Sequence, residues 1–439
     1  MILFGAGASV PFDIPTMSEF VIKYEDQCNE KESLFYEEIK SNIKNSDKTI
    51  GYSLEFDLES LLAILNDLSD KKIKKPISAA TASFLINKKI NFFQAKKEYN
   101  KISSTMLLNL KELIFNECIK PIAYGKKEGN ISFLDKFYGP LTYLINKGEF
   151  IRKERGLAIR DIFSTNWDLC FKEWATYNGS SIYDGMKTGS SGHLFLNITD
   201  LKNQVQRRLE DQRSQWQGIH TYIPLHGSID YFYYDVLKKE GSYTEIRKHP
   251  DPISYYRYKE NLKNMFIIYP LEAIGYEETI KSPYLDMLYL FSESLMTNDL
   301  FYIIGHSLRD PTISSIIEDR LEKKIDQGRI EPLSDNLEKR IEQSTQIRDK
   351  IIIFTRDAEK LKKDLKRRGH NLLSQTFIPI ETTFPKILDF NNDYIINDNF
   401  EDDYSLQIKK ILNTMRVIFP KIDMDKIASE INNKYNLNI

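Results

Sequence analysis

Short apolar runs separated by long helical repeats set the pattern of this chain. Met1, Ile2, Leu3 and Phe4 form an apolar run that stops at glycine, which predicts a short buried strand. Pro11 and Pro15 then hold the backbone extended. Thr16, with Glu19 three residues on, predicts a helix starting near Met17. From residue 33 to about 147 the apolar positions recur at helical spacing. Phe56, Leu58, Leu61, Leu62, Leu65 and Leu68 make one series, and Met106, Leu107, Leu110, Leu113, Ile114 and Ile119 another. No strand-like alternation interrupts them, so the stretch reads as a helical insertion or lid.

Strand signals return at residues 161–164, 222–225, 265–269, 300–304 and 350–354, each a short apolar run ending in a polar or glycine-bearing motif. Helical patterns follow at 169–177, 284–296 and 312–324. Strands alternating with helices predict an α/β fold with a Rossmann-like parallel sheet covered by helices on both faces. The aromatic run at 229–235, followed by Gly241 and Ser242, predicts a small antiparallel ribbon instead. Residues 391–403 are polar and acidic and read as a linker or exposed loop, while 408–418 and 422–435 read as terminal helices. The expected organisation is an α/β domain made of residues 1–60 and 150–390, a helical insertion at 61–149, and a C-terminal helical segment at 391–439.

Composition narrows the function classes. Among 439 residues, 61 Lys and Arg balance 63 Asp and Glu, so no bulk basic excess exists to hold a nucleic-acid backbone. The basic stretches at 71–75 and 360–368 read as solvated helix faces, with a nucleic-acid partner protein as the alternative. Three scattered cysteines, Cys28, Cys118 and Cys170, exclude a disulfide scaffold and a cysteine-rich zinc module, and fit the cytoplasm. The apolar runs are far shorter than the roughly 18 residues a membrane helix needs, and no signal peptide is visible. The first strand is short for its place, which leads us to expect a natural start a little upstream.

Four clusters stand at predicted strand ends, where open parallel sheets bind ligands. Gly5-Ala6-Gly7-Ala8-Ser9 allows close approach of backbone N–H groups to a pyrophosphate, or makes a generic tight turn. In Ser164-Thr165-Asn166-Trp167-Asp168, a carboxamide and a carboxylate two residues apart can share a cleft, or Thr165 or Asp168 caps the next helix. His226, in Leu225-His226-Gly227-Ser228, is a general-base candidate or a structural histidine. In Gly305-His306-Ser307-Leu308-Arg309-Asp310-Pro311, glycine permits a sharp turn, Ser307 can bond phosphate or ribose, and Asp310 can cap a helix near Thr312. Ser307 as a hydrolase nucleophile is a poor reading, because the last glycine of a G-x-S-x-G elbow is Arg309 here. The six histidines show no metal spacing.

In this order and spacing the clusters resemble the sirtuin superfamily. Phe56-Asp57-Leu58-Glu59, Ile182-Tyr183-Asp184-Gly185 and Ile268-Tyr269-Pro270 add to the likeness, which covers roughly residues 1–60 and 155–360. The resemblance implies an NAD-binding catalytic domain. Gly5, Ala6, Gly7 and Ser9 would line the pyrophosphate and nicotinamide-ribose side, with Thr165 also among the NAD contacts. Asn166 and Asp168 would face the nicotinamide end, and His226 would be the base near the ribose. Gly305 and Ser307 would support the adenosine half, with Asp310 in the same loop. The chain departs from deacylating sirtuins in two ways. Pro15-Thr16-Met17-Ser18 stands where they carry an aspartate-phenylalanine-arginine segment, and the interval after His226 lacks their two zinc-binding C-x-x-C pairs. What remains resembles the zinc-free sirtuin-like proteins of prokaryotic anti-phage defence, which hydrolyse NAD. That likeness implies NAD as substrate, no metal, a homo-oligomer, an activator such as a HerA-like ATPase, no membrane, and nucleic acid met only indirectly. A non-catalytic NAD or ADP-ribose sensor and an NAD-dependent deacylase or ADP-ribosyltransferase are the alternatives.

Overall fold

The computed structural model describes residues 1–44, 56–69, 77–129, 131–152, 161–188, 194–197, 199, 203, 219–238, 241–267, 284–347, 349–389, 395–396 and 399–439. The strands are β1 (Ile2–Phe4), β2 (Asp161–Ser164), β3 (Ser181–Tyr183), β4 (Met186–Thr188), β5 (Leu194–Leu196), β6 (Ile219–Pro224), β7 (Gly227–Lys238), β8 (Gly241–Lys248), β9 (Met265–Ile267), β10 (Leu300–Ile304), β11 (Lys350–Thr355) and β12 (Phe377–Glu381). The two-residue strands β13 (Leu388–Asp389) and β14 (Ile395–Ile396) pair with each other. Seven strands form one all-parallel sheet in the order β12-β11-β10-β1-β2-β6-β3. The chain winds from β1 toward β2 on one side and continues from β10 on the other, so the strand order reverses between β1 and β10. Such a reversal opens a crevice beyond the carboxyl ends of the strands.

The pleat of the sheet divides its side chains between two apolar cores. Ile2, Phe4, Ile162, Tyr302, Ile304, Ile352 and Phe354 face one core, and Leu3, Phe163, Phe301, Ile303, Ile351 and Ile353 face the other. The helices before the second strand are α1 (Met17–Glu25), α2 (Glu30–Lys44), α3 (Leu58–Ser69), α4 (Ala79–Lys88), α5 (Phe92–Lys127) and α6 (Ser132–Arg152). They supply Phe20, Leu61, Leu110 and Phe137 to the first core. α7 (Cys170–Tyr177) follows β2, and α8 (Pro252–Tyr256) precedes β9. The second core is closed by α9 (Tyr284–Thr297), α10 (Pro311–Asp326), α12 (Ala358–Arg367) and α13 (Asn371–Thr376), while α11 (Leu337–Gln343) lies between α10 and β11 in the chain. α14 (Phe400–Ile418) and α15 (Met424–Tyr435) return to the first core through Tyr404, Ile408 and Ile431. The stretch read as an insertion and the C-terminal helices therefore cover one face of the sheet.

Several expectations are met and others corrected. α1 begins at Met17, where the Glu19 carboxylate accepts from the Thr16 N–H at 2.7 Å and hydroxyl at 2.8 Å. The ribbon is real, but β9, expected among the parallel strands, runs antiparallel to β7 in a second sheet of order β4-β5-β8-β7-β9. Strand direction depends on the partner, and a three-residue apolar run does not encode it. The acidic stretch at 401–403 is the first turn of α14 rather than a linker, where Glu401, Asp402 and Asp403 complement the positive end of the helix dipole. Residues 71–75, 268–270 and 391–393 lie outside the described residues, as does His193.

The reversal point is sealed by backbone against backbone. Gly305 takes φ +66°, and a Cβ there would stand 2.2 Å from the Ala8 nitrogen. Gly328 has φ +63° with nothing within 4 Å of an added Cβ, so it isolates backbone strain from crowding. We expect Gly328→Ala to cost about 1 kcal/mol. Gly305→Ala should cost on the order of 3 kcal/mol or more, because strain and overpacking combine. Urea unfolding of the two variants measures the difference.

Candidate functional site

Register places the four motifs at one level. Phe4 pairs with both Ser164 and Ile304, and Ser164 pairs with Pro224. Counting two residues past this row brings Ala6, Asn166, His226 and His306 to the same edge of the sheet. The chain segments after β2 and β6 are tied further by Leu225 N–H to Ser164 O at 2.7 Å and Ile229 N–H to Trp167 O at 3.0 Å.

The glycine loop is compact. Its N–H groups are spent internally: Gly5 donates to Ile304 O, Gly7 to Gly305 O, Ala8 to Gly5 O and Ser9 to Ala6 O, at 2.8–3.1 Å. The glycines serve close packing on the Gly305 loop, and these four N–H groups are not held open for a pyrophosphate. Ala6 follows as the first residue of a 3-10 turn. Thr165, expected among the NAD contacts, is buried, and its N–H and hydroxyl both bond Phe4 O, at 3.0 and 3.3 Å.

Ser9 joins the first two motifs. Its hydroxyl donates to Asp168 Oδ2 at 2.6 Å and accepts from Asn166 Nδ2 at 2.7 Å. Asn166 Nδ2 also donates to Gly5 O at 2.9 Å. Two acceptors thus fix the NH2 side of the amide, and Asn166 Oδ1 is left buried without a partner. Asp168 Oδ1 accepts from Cys170 N–H at 2.9 Å, so both carboxylate oxygens are engaged. Burial raises the Asp168 pKa, with the Ser9 and Cys170 hydrogen bonds opposing. Asp168 thereby ties Ser9 to the first turn of α7.

His226 and Asp310 meet beyond the carboxyl ends of the strands. His226 Nε2 lies 2.8 Å from Asp310 Oδ2, with the residues 2% and 5% exposed. They follow β6 and β10, which β1 and β2 separate, a span of about 14 Å at the usual strand spacing. The two loops therefore reach toward each other over the ends of β1 and β2. Asp310 also caps α10, its Oδ1 accepting from Thr312 N–H at 2.8 Å and Ile313 N–H at 3.1 Å. Its carboxylate is committed to His226 and the helix, as the reading of Asp310 as the cap of a helix near Thr312 expects for Oδ1. Burial works to raise the Asp310 pKa, but the hydrogen bond and charge of His226 and the helix N–H groups bring it below the usual carboxylate value. His226 Nδ1 is buried with no partner. Ser307, in the same loop as Asp310, is exposed.

The structure adds residues that the motif reading left in the background. His306 Nδ1 accepts from Leu308 N–H at 2.8 Å, and Leu308, itself at φ +54°, receives at its carbonyl the Ser314 hydroxyl and the Arg368 guanidinium. Glu59, at the start of α3, has its pKa raised well above the usual carboxylate value by burial and by Asp57 and Asp310, with Arg309 opposing. Behind the His226 strand end, Lys172 bonds Asp230 at 2.7 Å and Asp184 at 3.3 Å, while Lys248 bonds Asp184 at 2.8 Å. This quartet joins α7 and the end of β3 to β7 and β8. Burial alone would raise the Asp184 pKa, but Lys172 and Lys248 hold it well below the usual value.

Among the described residues, no group of three or more His, Cys, Asp or Glu side chains could hold a metal ion, and no helix is long and apolar enough to cross a membrane. A cavity of about 520 Å³ beside α1 and α5 is lined by Tyr24, Asn109, Glu117 and Lys120, none of them from the four motifs. Compared with known protein families and with curated proteins, the chain matches none.

His306 supplies a test of this electrostatic arrangement. Burial pushes its pKa from 6.5 down to about 4, with His226 and Arg368 adding to the fall and Asp310 opposing. The unfolded chain therefore binds a proton between these pH values that the folded chain refuses, so stability falls as the pH falls from 6.5 to about 4. The loss is on the order of 2 kcal/mol after allowance for partial exposure. Asp168 and Glu59 shift in the opposite sense, but in wild type and variant alike. Urea unfolding across this range should show wild type losing stability more steeply than His306→Asn by that amount.

Proposed function

We propose that the chain is an NAD glycohydrolase, which cleaves NAD to nicotinamide and ADP-ribose. The observation that carries this reading is the presence, at one level of the sheet's carboxyl edge, of two fixed side chains, Asn166 and His226, each with one buried and unpartnered polar atom. Buried polar atoms normally find partners, and those left over collect where a ligand supplies them. Asn166 presents an oxygen, suited to accept from a ribose hydroxyl or from the attacking water.

In the reaction the bond between ribose C1′ and the nicotinamide nitrogen breaks, and its electron pair leaves with nicotinamide. The ribose ring develops oxocarbenium character. Water adds its oxygen to C1′ and gives its proton to His226. The chain's own contribution is to hold the ribose, align the water and accept the proton from a fixed position. Asp168 keeps Ser9, and through it the Asn166 amide, in one orientation. The resemblance to zinc-free sirtuin-like defence proteins extends the proposal to an oligomeric anti-phage effector. It would act with a HerA-like ATPase or another activator and meet nucleic acid only through that partner.

Incubation of the pure protein with NAD, alone and with candidate activators, with nicotinamide quantified, tests this reading. Asn166→Ala and His226→Ala should each lower turnover by about two to four orders of magnitude with an unchanged circular dichroism spectrum. Wild-type rates in both variants would overturn the mechanism, and NAD bound but left intact under every condition would make the chain a sensor.

A further inference from the structure

We propose that Asp310 is a positioning residue that holds His226 in the tautomer protonated at Nε2, so that Nδ1 is the nitrogen that accepts the proton. This rests on the reading of His226 as the base. Asp310 Oδ1 takes two backbone N–H groups in the first turn of α10, the positive end of a helix dipole, and Oδ2 faces His226 Nε2 at 2.8 Å. An ionised carboxylate has only lone pairs to offer, so the hydrogen in the short contact must come from the imidazole. A neutral imidazole carries one N–H, and Nδ1 is therefore a lone pair.

That lone pair is buried and unpartnered, a state that costs about 1–3 kcal/mol where nothing compensates for it. The carboxylate cannot swing away to relieve it. Pro311 fixes the backbone after Asp310, and the Leu308 carbonyl before it is gripped by Ser314 and Arg368. When Nδ1 gains a proton, the imidazolium faces the Asp310 anion at Nε2. The neighbouring imidazole of His306 is kept neutral by burial near physiological pH and adds no like charge. Among the described residues, Glu59 and Tyr284 also interact electrostatically with Asp310, while Arg309 acts on Glu59 and Arg368 on His306.

The test uses 15N-histidine-labelled protein and long-range proton–nitrogen NMR, with His226 assigned by the loss of its signals in His226→Asn. The expected result is His226 protonated at Nε2 and bare at Nδ1. A tautomer protonated at Nδ1 overturns the proposal, whatever the activity. The second arm is Asp310→Asn. Its side-chain oxygen must stay on the N–H groups of α10, so its NH2 faces Nε2 and favours the opposite tautomer. We expect kcat to fall on the order of 10²–10⁴-fold with KM little changed, the low-pH limb of the kcat profile to move, and the urea midpoint to stay close to wild type. An unchanged kcat and pH profile in a folded Asp310→Asn protein would also overturn it. Absence of NAD cleavage by wild type with every activator would sink the hydrolase reading instead, and the tautomer measurement would still stand.

Discussion

The contact of two backbones at the strand-order reversal governs the rest of this molecule. The loops after β1 and β10 approach so closely that neither leaves room for a side chain at Gly5 or Gly305, where an added Cβ would lie 2.5 and 2.2 Å from its nearest neighbours. They are joined through Gly5 N–H to Ile304 O and Gly7 N–H to Gly305 O. This contact makes the glycine loop coil back on itself, which presents Ser9 to both Asn166 and Asp168. It also directs the chain after Gly305 over the ends of β1 and β2, so that Asp310 reaches His226. Both halves of the candidate site take their geometry from one place where only glycine fits.

Little polar capacity is left over around this contact. Asp168, Thr165, Asp310 and most of the glycine-loop N–H groups are satisfied within the protein. The atoms without partners include Asn166 Oδ1, Trp167 Nε1, His226 Nδ1 and Ser228 Oγ, which come from two adjoining segments. Side chains held in this way keep those atoms oriented in advance, so little reorganisation is needed to present them.

Much of this was legible in the chain because buried parallel strands are written as unbroken apolar runs that stop at polar or glycine residues. β1, β2, β10 and β11 obey that rule. β3 and β12 escaped it: Ser181-Ile182-Tyr183 is only three residues long, and Pro379 interrupts β12, where an edge position tolerates it. The acidic turn of α14 escaped because negative residues suit a solvated loop and a helix N-terminus equally. The candidate residues were found from their place at strand ends, and so was the capping of the next helix by Asp310, but the pairing of Asp310 with His226 was not. The role of Asp310 depends on loops from strands three positions apart meeting over two others, and no local pattern encodes that meeting.

The ion-pair quartet of Lys172, Asp184, Asp230 and Lys248, three of them buried, has an evolutionary consequence. Its four charges cancel, and each residue comes from a different part of the chain. Loss of one member would unbalance charge in a largely buried cluster, which is more damaging than loss of an exposed ion pair. The four positions are therefore bound to drift together. A lineage that exchanges one of these lysines for an apolar residue must also neutralise an aspartate, and such paired replacements would leave a correlated signature linking α7 to the antiparallel sheet.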